Sequence, residues 1–152
     1  QEQLYWHARK MVKTHADADD ILQNTFIKAW KNIEKFRGDA KLKTWLYRIA
    51  TNESLTFLNK QKKQNFSDLA DIENELSHSQ SGGASLSGEE IKAKLDAAVE
   101  RLPDKQRLVF VMKYFEEMKY QEIADVLGGS VGSLKASFHH AVKKIESFLL
   151  SD

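Results

Sequence analysis

Cysteine is absent from this chain of 152 residues, and proline occurs once. The absence of cysteine excludes disulfide bonds and thiolate metal sites, and it suits a reducing compartment. The seven glycines lie mostly in two short stretches, so little interrupts helix formation elsewhere. No apolar run approaches the length of a membrane span, and no signal peptide is visible. These absences predict an all-α protein that does not insert into a membrane.

The net charge of +1 conceals two neighbouring segments of opposite sign. The basic side chains are Lys41, Lys43, Arg48, Lys60, Lys62 and Lys63, and the acidic ones are Asp68, Asp71, Glu73, Glu75, Glu89 and Glu90. Residues 77–88 have the serine- and glycine-rich composition of a flexible linker. The sequence therefore predicts two small helical domains, an N-terminal helical bundle at 1–64 and a C-terminal helix-turn-helix domain at 91–152, joined by a flexible acidic linker at 65–90. Because the chain begins at Gln1, we expect further residues to precede it in the parent protein.

The stretch at 120–145 predicts a helix-turn-helix. Gly128 and Gly129 can adopt the positive φ of a tight turn, and Ser130 is a favourable N-cap for the second helix. The apolar side chains of this second helix recur every three or four residues, at Val131, Leu134, Phe138, Val142 and Ile145. The opposite face carries hydroxyls, imidazoles and lysines, which suits a recognition helix in the major groove of DNA. The alternative is a plain helical hairpin with a solvated basic face.

Three helices are predicted in the N-terminal domain. The first carries Leu4, Ala8, Met11 and Val12 on one face. The second is predicted to begin at an N-cap, Asp17, and to bury an apolar face formed by Leu22, Phe26, Ala29, Trp30 and Ile33. A loop follows at 36–40, and the third helix then combines aromatic and cationic side chains, a combination that suits single-stranded nucleic acid. Its aromatic residues Trp45 and Tyr47 can stack on bases, or they can belong to the core.

Six motifs resemble the sigma-70 family of bacterial RNA polymerase sigma factors, in particular its compact two-domain extracytoplasmic-function group. The N-terminal motifs are DADDILQNTFIKAW at 17–30, KFRGD at 35–39 and TWLYRIATN at 44–52. The C-terminal motifs are LPDKQRLVF at 102–110, YQEIA at 120–124 and SVGSLK at 130–135. They follow the family's order and spacing, and they cover nearly everything except the linker.

The resemblance implies a transcription initiation factor, not an enzyme, that binds core RNA polymerase at its clamp and flap and directs it to promoter DNA. The implied polymerase contacts are Asp20, Gln23 and Asn24. The N-terminal domain would read and open the −10 element and hold a flipped base, through Phe36, Arg37, Gly38, Asp39, Lys41, Trp45, Arg48, Asn52 and Lys60. The helix-turn-helix would read the −35 element, through Ser133, Lys135, Ala136, His139, His140 and Lys143.

The same resemblance bears on partners, cofactors and the place of action. An anti-sigma factor is a candidate partner, because relatives are commonly sequestered by one, and the place of action would be the bacterial cytoplasm. No cofactor, metal or catalytic residue is expected; the adjacent His139 and His140 point about 100° apart on a helix, unlike the ligands of a metal site. The acidic linker is expected to thread into polymerase channels that later carry RNA. There its carboxylates would mimic RNA phosphates, at Asp68, Asp71, Glu73 and Glu75.

Three other functions are open at the level of sequence. An ordinary helix-turn-helix regulator would use its N-terminal domain for dimerisation or effector binding, but it would leave the loop and aromatic helix at 36–52 unexplained. An all-helical enzyme lacks support, since the chain shows no glycine-rich phosphate loop, no paired carboxylates and no histidine-ligand spacing. The third is a helical scaffold protein without DNA contacts.

Overall fold

Seven α-helices and no strand make up the part of the chain that the computed structural model describes, residues 1–36, 38, 41–67 and 87–151. In chain order they are α1 (Glu2–Arg9), α2 (His15–Lys31), α3 (Leu42–Ser67), α4 (Gly88–Glu100), α5 (Asp104–Phe110), α6 (Tyr120–Leu127) and α7 (Val131–Leu150). A 3-10 turn at Ile33–Lys35 follows α2, and a π-helical turn at Val111–Phe115 follows α5. The all-α prediction is confirmed. No helix of the described ranges combines the length and the apolar character that a membrane span needs.

The first three helices pack against one another around small and apolar side chains. Helix α2 begins after Thr14, whose hydroxyl accepts a hydrogen bond from the Asp17 amide at 3.1 Å. The predicted N-cap at Asp17 is therefore wrong by three residues; Asp17 lies in the first turn, where its charge suits the positive end of the helix dipole. The predicted apolar residues of α1 and the turn after it are all buried, at Leu4, Ala8, Met11 and Val12. The polar side chain of His7 is buried as well, which was not predicted.

The buried face of α2 differs from the predicted one. It is formed by Ala18, Ile21, Thr25 and Ala29. Of the predicted face, Ala29 is buried and Leu22 is half-buried, but Phe26, Trp30 and Ile33 are exposed. The helix is rotated by about one residue, or roughly 100°, from the predicted orientation. Thr25 can lie inside because its hydroxyl donates to the Ile21 carbonyl at 2.7 Å, which satisfies its polar atom.

Helices α4, α5 and α7 surround a second interior. Helix α4 begins with a capping box, in which the Ser87 hydroxyl accepts from the Glu90 amide and the Glu90 carboxylate accepts from the Ser87 amide. The buried side chains that meet there are Ala98, Val99, Leu102, Phe110, Val111, Ala141 and Ile145.

The predicted helix-turn-helix is confirmed in α6 and α7. Gly128 and Gly129 have φ of 81° and 86°, values that favour glycine. The Ser130 hydroxyl accepts from the Ser133 amide at 3.1 Å and so caps α7. The predicted seam of α7 faces inward, with Leu134 and Ile145 buried and the others half-buried, Val131, Phe138 and Val142.

The two domains lie in contact and share their interior. Helix α3 packs against α6, and one apolar cluster joins Leu4, Tyr47 and Ala50 of the N-terminal domain to Val109, Met112, Met118, Ile123 and Leu134 of the C-terminal domain. A second cluster packs Leu108 among side chains of the first three helices. At the rim, ion pairs join Lys62 to Asp104 at 2.6 Å and Lys10 to Asp96 at 3.7 Å.

The predicted linker is helical at both described ends. Residues 65–67 belong to α3, and residues 88–90 belong to α4. The stretch 68–86, which includes Asp68, Asp71, Glu73 and Glu75, lies outside the described residues.

We predict that Gly129→Ala lowers the free energy of unfolding by about 1–2 kcal/mol, because alanine is strained in the left-handed region. Its Cβ would also lie 3.3 Å from the Ser133 Oγ. Gly132→Ala, on the next helix, is the matched control: the nearest atom to its added Cβ is 3.9 Å away, and alanine favours helix by up to about 1 kcal/mol. Urea unfolding of both variants would measure the difference, and equal midpoints would contradict the strained turn.

Candidate nucleic-acid interface

A cavity of about 290 Å³ opens beside α3. Three residues of α3 line it at helical spacing, Trp45, Ile49 and Asn52. The Trp45 ring is half-buried, and its centre lies 5.2 Å from that of Phe36. Trp45 therefore packs against the end of the preceding loop and also forms a wall of the cavity. The remaining lining residues are Lys28, Asn32, Lys35 and Glu53.

The polar groups of the cavity suit a nucleotide. Glu53 is nearly buried and forms an ion pair with Lys28, whereas Lys35 is exposed. Two lysines against one carboxylate leave one net positive charge, which attracts a phosphate. The amides of Asn32 and Asn52 can both donate to and accept from the edge of a base, and the Trp45 ring offers an aromatic surface.

The predicted −10 residues are only partly within the described chain. Phe36 is half-buried, Gly38 is exposed with φ of 73°, and Lys41, Asn52 and Lys60 are exposed. Arg37 and Asp39 lie outside the described residues.

Two side chains that the sequence offered for nucleic-acid binding contact the C-terminal domain instead. Tyr47 is 4% exposed, so it belongs to the core and does not present its ring to bases. Burial, together with the charge of Glu116 and its hydrogen bond to the phenol, raises the pKa of Tyr47 above its ordinary value. The Arg48 Nε donates to the carbonyl of Asp125 in α6 at 2.6 Å.

The six predicted −35 residues lie on the outer face of α7. The Ser133 hydroxyl donates to the Ser130 carbonyl at 2.9 Å and so helps to begin the helix. The Lys135 ammonium lies 5.8 Å from the centre of the Tyr120 ring, within the range of a cation–π contact. No group of three or more histidine, aspartate and glutamate side chains within the described residues could hold a metal ion. All six predicted −35 residues are exposed to solvent: Ser133, Lys135, Ala136, His139, His140 and Lys143.

Helix α2 presents an exposed face that combines polar and apolar side chains. We call it the α2 outer face; it consists of Asp20, Gln23, Asn24, Ile27 and Trp30, which recur at helical spacing. The first three are the predicted polymerase contacts, and all are exposed. Trp30 is 78% exposed and Ile27 is 45% exposed, so this face carries apolar surface that folding leaves in water.

The apolar part of the α2 outer face was not predicted from the sequence, because the apolar spacing places Phe26 and Trp30 in the core. A signal was nevertheless present. Ala18, Ile21, Thr25 and Ala29 also recur at spacings of three and four, and their small size lets α2 pack closely against its neighbours.

Comparison with known families matches both halves of the chain. The family model of sigma-70 region 2 matches residues 1–64. The family model of sigma-70 region 4 matches residues 92–145. The first range contains the α2 outer face and the cavity, and the second contains the helix-turn-helix.

Curated relatives match over most of the chain. The ECF RNA polymerase sigma factor SigW of Bacillus subtilis (strain 168) is 33% identical over 146 residues, which are 91% of this chain and 78% of that protein. The ECF RNA polymerase sigma-E factor of Escherichia coli (strain K12) is 31% identical over 141 residues, covering 86% of this chain and 73% of that protein.

Solved structures share the fold across both domains. The sigma factor RpoE, in complex with the anti-sigma factor NepR from Bartonella quintana, superposes with a TM-score of 0.74 at 22% identity, covering 99% of this chain and 92% of that one. CnrH, in complex with the cytosolic domain of CnrY, superposes with a TM-score of 0.67 at 25% identity, covering 98% of this chain and 81% of that one.

We predict that Trp30→Ala changes the free energy of unfolding by less than about 0.5 kcal/mol, because the side chain is mostly in water. Ile21→Ala, on the buried face of the same helix, should lower it by about 2–4 kcal/mol. Guanidinium-induced unfolding followed by circular dichroism would compare the two variants. A larger loss for Trp30→Ala than for Ile21→Ala would contradict the observed rotation of α2.

Proposed function

Because the chain belongs to the extracytoplasmic-function group of sigma-70 RNA polymerase sigma factors, which direct polymerase to promoters, we propose a division of labour between its parts. Residues 1–64 bind core polymerase and read and open the −10 element. Residues 91–152 read the −35 element, and residues 65–90 tether the two. Since α3 continues to Ser67, the last turn of the N-terminal domain extends into the tether.

The cavity beside α3 is the observation that carries the −10 proposal. Its volume of about 290 Å³ is at the lower end of small-ligand pockets, a size that suits a single base. A base that leaves the duplex loses stacking and pairing worth a few kcal/mol. Stacking against Trp45 and hydrogen bonds to Asn52 offset that loss. Lys41 and Lys60 then hold neighbouring phosphates.

The α2 outer face supports polymerase binding. An exposed tryptophan next to an isoleucine is a favourable centre for a protein interface, since burying them in a complex removes apolar surface from water. Around them, Asp20, Gln23 and Asn24 supply the polar rim that such interfaces usually have. We therefore add Ile27 and Trp30 to the proposed polymerase contacts.

The outer face of α7 supports −35 recognition. Its lysines and histidines can donate hydrogen bonds to base edges and phosphates when α7 enters the major groove. Lys135 and His139 lie four residues apart on this face and are proposed to reach bases. Lys143, two turns beyond Lys135, is proposed to contact the DNA backbone.

An anti-sigma factor is a proposed partner, because one structure of similar fold is a complex with such a protein. The family is not one of enzymes, and we propose that the chain has no catalytic activity of its own and needs no cofactor. We place its action in the bacterial cytoplasm, where RNA polymerase works.

We predict that Trp30→Ala weakens binding to core polymerase by roughly tenfold or more, as truncation of a central aromatic contact does at other interfaces. Leu150→Ala is the matched control, because Leu150 is 84% exposed at the end of α7, away from the α2 outer face. Titration of fluorescent core polymerase with each variant would measure both affinities. If Trp30→Ala and the unsubstituted protein bound core polymerase with equal affinity, Trp30 would not be part of the interface.

We predict that Asn52→Ala reduces promoter opening by roughly tenfold, because a flipped base would lose hydrogen bonds worth about 1–3 kcal/mol. Asn59→Ala, an exposed position on the same helix outside the cavity, should open the promoter normally. Permanganate reactivity of promoter thymines with core polymerase measures opening directly. If the unsubstituted protein produced no reactive thymines, the proposed opening role itself would fail.

A further inference from the structure

We propose that Tyr120, the first residue of α6, is a positioning residue that holds the Lys135 ammonium in place for −35 recognition. Tyr120 lies outside the recognition helix α7, so it acts through the lysine and is not itself a base contact. This inference rests on the proposed reading of the −35 element by α7, and it names a residue on which the strength of that reading depends.

The Tyr120 ring is fixed by the core of the helix-turn-helix. It is half-buried and packs against the apolar cluster that contains Ile123 and Leu134. Its centre lies 6.5 Å from that of the Phe138 ring, and the two planes are 77° apart, an edge-to-face arrangement. Since Leu134 and Phe138 belong to α7, the recognition helix itself holds the ring that its own Lys135 meets.

The first turn of α6 is also well defined. The Lys119 amide donates to the Glu122 carboxylate at 3.1 Å, as the N-cap amide does in a capping box. Tyr120 follows Lys119 directly, and α6 packs against α7. The ring is therefore placed by an ordered helix start, beside the second turn of α7, where Lys135 lies.

Two lysines share the Tyr120 ring. The Lys113 ammonium lies 4.4 Å from the ring centre and donates to the Met118 carbonyl at 3.3 Å. The Lys135 ammonium lies 5.8 Å from the same centre, and both distances are within the range at which an aromatic face attracts a cation. Lys113 is half-buried, whereas Lys135 is exposed. The ring thus holds one cation that is tied to the backbone and one that is accessible to DNA.

The two ammonium groups repel each other, because they carry the same charge beside one ring. Lys113 keeps the closer position, since the Met118 carbonyl also binds it. Lys135 keeps the longer distance and stays on the solvent side of the ring. Positive charge gathered in this way strengthens the attraction for a DNA phosphate or for the acceptor atoms of a guanine.

Positioning matters for a lysine more than for a side chain with fewer rotamers. The lysine stem is flexible, so ordering its ammonium against DNA costs conformational entropy. An ammonium that the Tyr120 ring already restrains loses less freedom when DNA binds. Exposed cation–π contacts change an equilibrium by roughly two- to fivefold, so we expect Tyr120 to contribute a factor of that size to −35 affinity.

The test is a double-mutant cycle in the holoenzyme. Core polymerase carrying each variant is titrated against a fluorescent duplex from a promoter that the unsubstituted holoenzyme transcribes. We expect Lys135→Ala to weaken binding, and Tyr120→Leu to weaken it by roughly two- to fivefold, because leucine has no aromatic face. The double variant should bind no more weakly than Lys135→Ala alone, since the two side chains act as one unit. Tyr120→Phe keeps the ring and should bind within about twofold of the unsubstituted protein.

Lys143→Ala is the matched control. Lys143 is also an exposed, proposed DNA contact of α7, but it lies two turns beyond Lys135. The effects of Lys143→Ala and Tyr120→Leu should therefore multiply in the double variant, as they do for independent sites.

A second comparison separates the charge distribution of the ring from its packing. Tyr120→Phe and Tyr120→pentafluorophenylalanine place rings of similar size in the same position, but fluorination removes the negative face that attracts a cation. We expect the fluorinated ring to weaken binding by roughly two- to fivefold relative to Tyr120→Phe, and to have no such effect in a Lys135→Ala background. Should Tyr120→Leu unfold, this comparison decides.

The outcomes distinguish the role of Tyr120 from the proposed function. If Tyr120→Leu or the fluorinated ring weakens binding equally with and without Lys135, Tyr120 has only a packing role and the inference is wrong. Unchanged or tighter binding by both variants overturns it as well. If the unsubstituted holoenzyme binds a duplex with a scrambled −35 element equally tightly, the proposed −35 recognition fails, and the inference fails with it.

Discussion

Burial of one face of α3 is the constraint on which both the candidate pocket and the domain contact depend. The buried stripe of α3 recurs every three or four residues, at Tyr47, Ala50, Thr51, Ser54 and Leu58. The Ser54 hydroxyl donates to the Ala50 carbonyl at 2.8 Å, so even this polar residue can lie inside. Only one rotation of the helix buries this stripe, and that rotation exposes Asn52 beside the cavity. The same stripe receives the C-terminal domain, so the pocket and the domain contact share one helix.

The parts of the fold that the sequence predicted are those set by local chemistry. Gly128, Gly129 and Ser130 act within a few residues of themselves, and the turn and cap of α7 follow from their backbone preferences alone. The apolar face of α2 was predicted wrongly because periodicity measures hydrophobicity and does not show whether the partner surface belongs to the same chain. Trp30 is apolar at helical spacing, yet small residues such as Ala18 allow the closer packing and take the buried face. The hydrogen bond between His7 and Glu116 joins residues 109 positions apart. Patterns of spacing in the sequence act over a few residues, so they could not predict this contact.

The boundary between the domains contains polar side chains that are buried or half-buried. Besides His7 and Glu116, Arg107 is nearly buried; its Nη1 donates to the Met11 carbonyl at 3.2 Å, and its Nη2 pairs with Asp104. Its Nε finds no partner within the described residues. A buried donor without a partner costs about 1–3 kcal/mol, and buried ion pairs often stabilise less than apolar packing of the same volume. The boundary is therefore specific in its geometry but weaker than an apolar one of equal size.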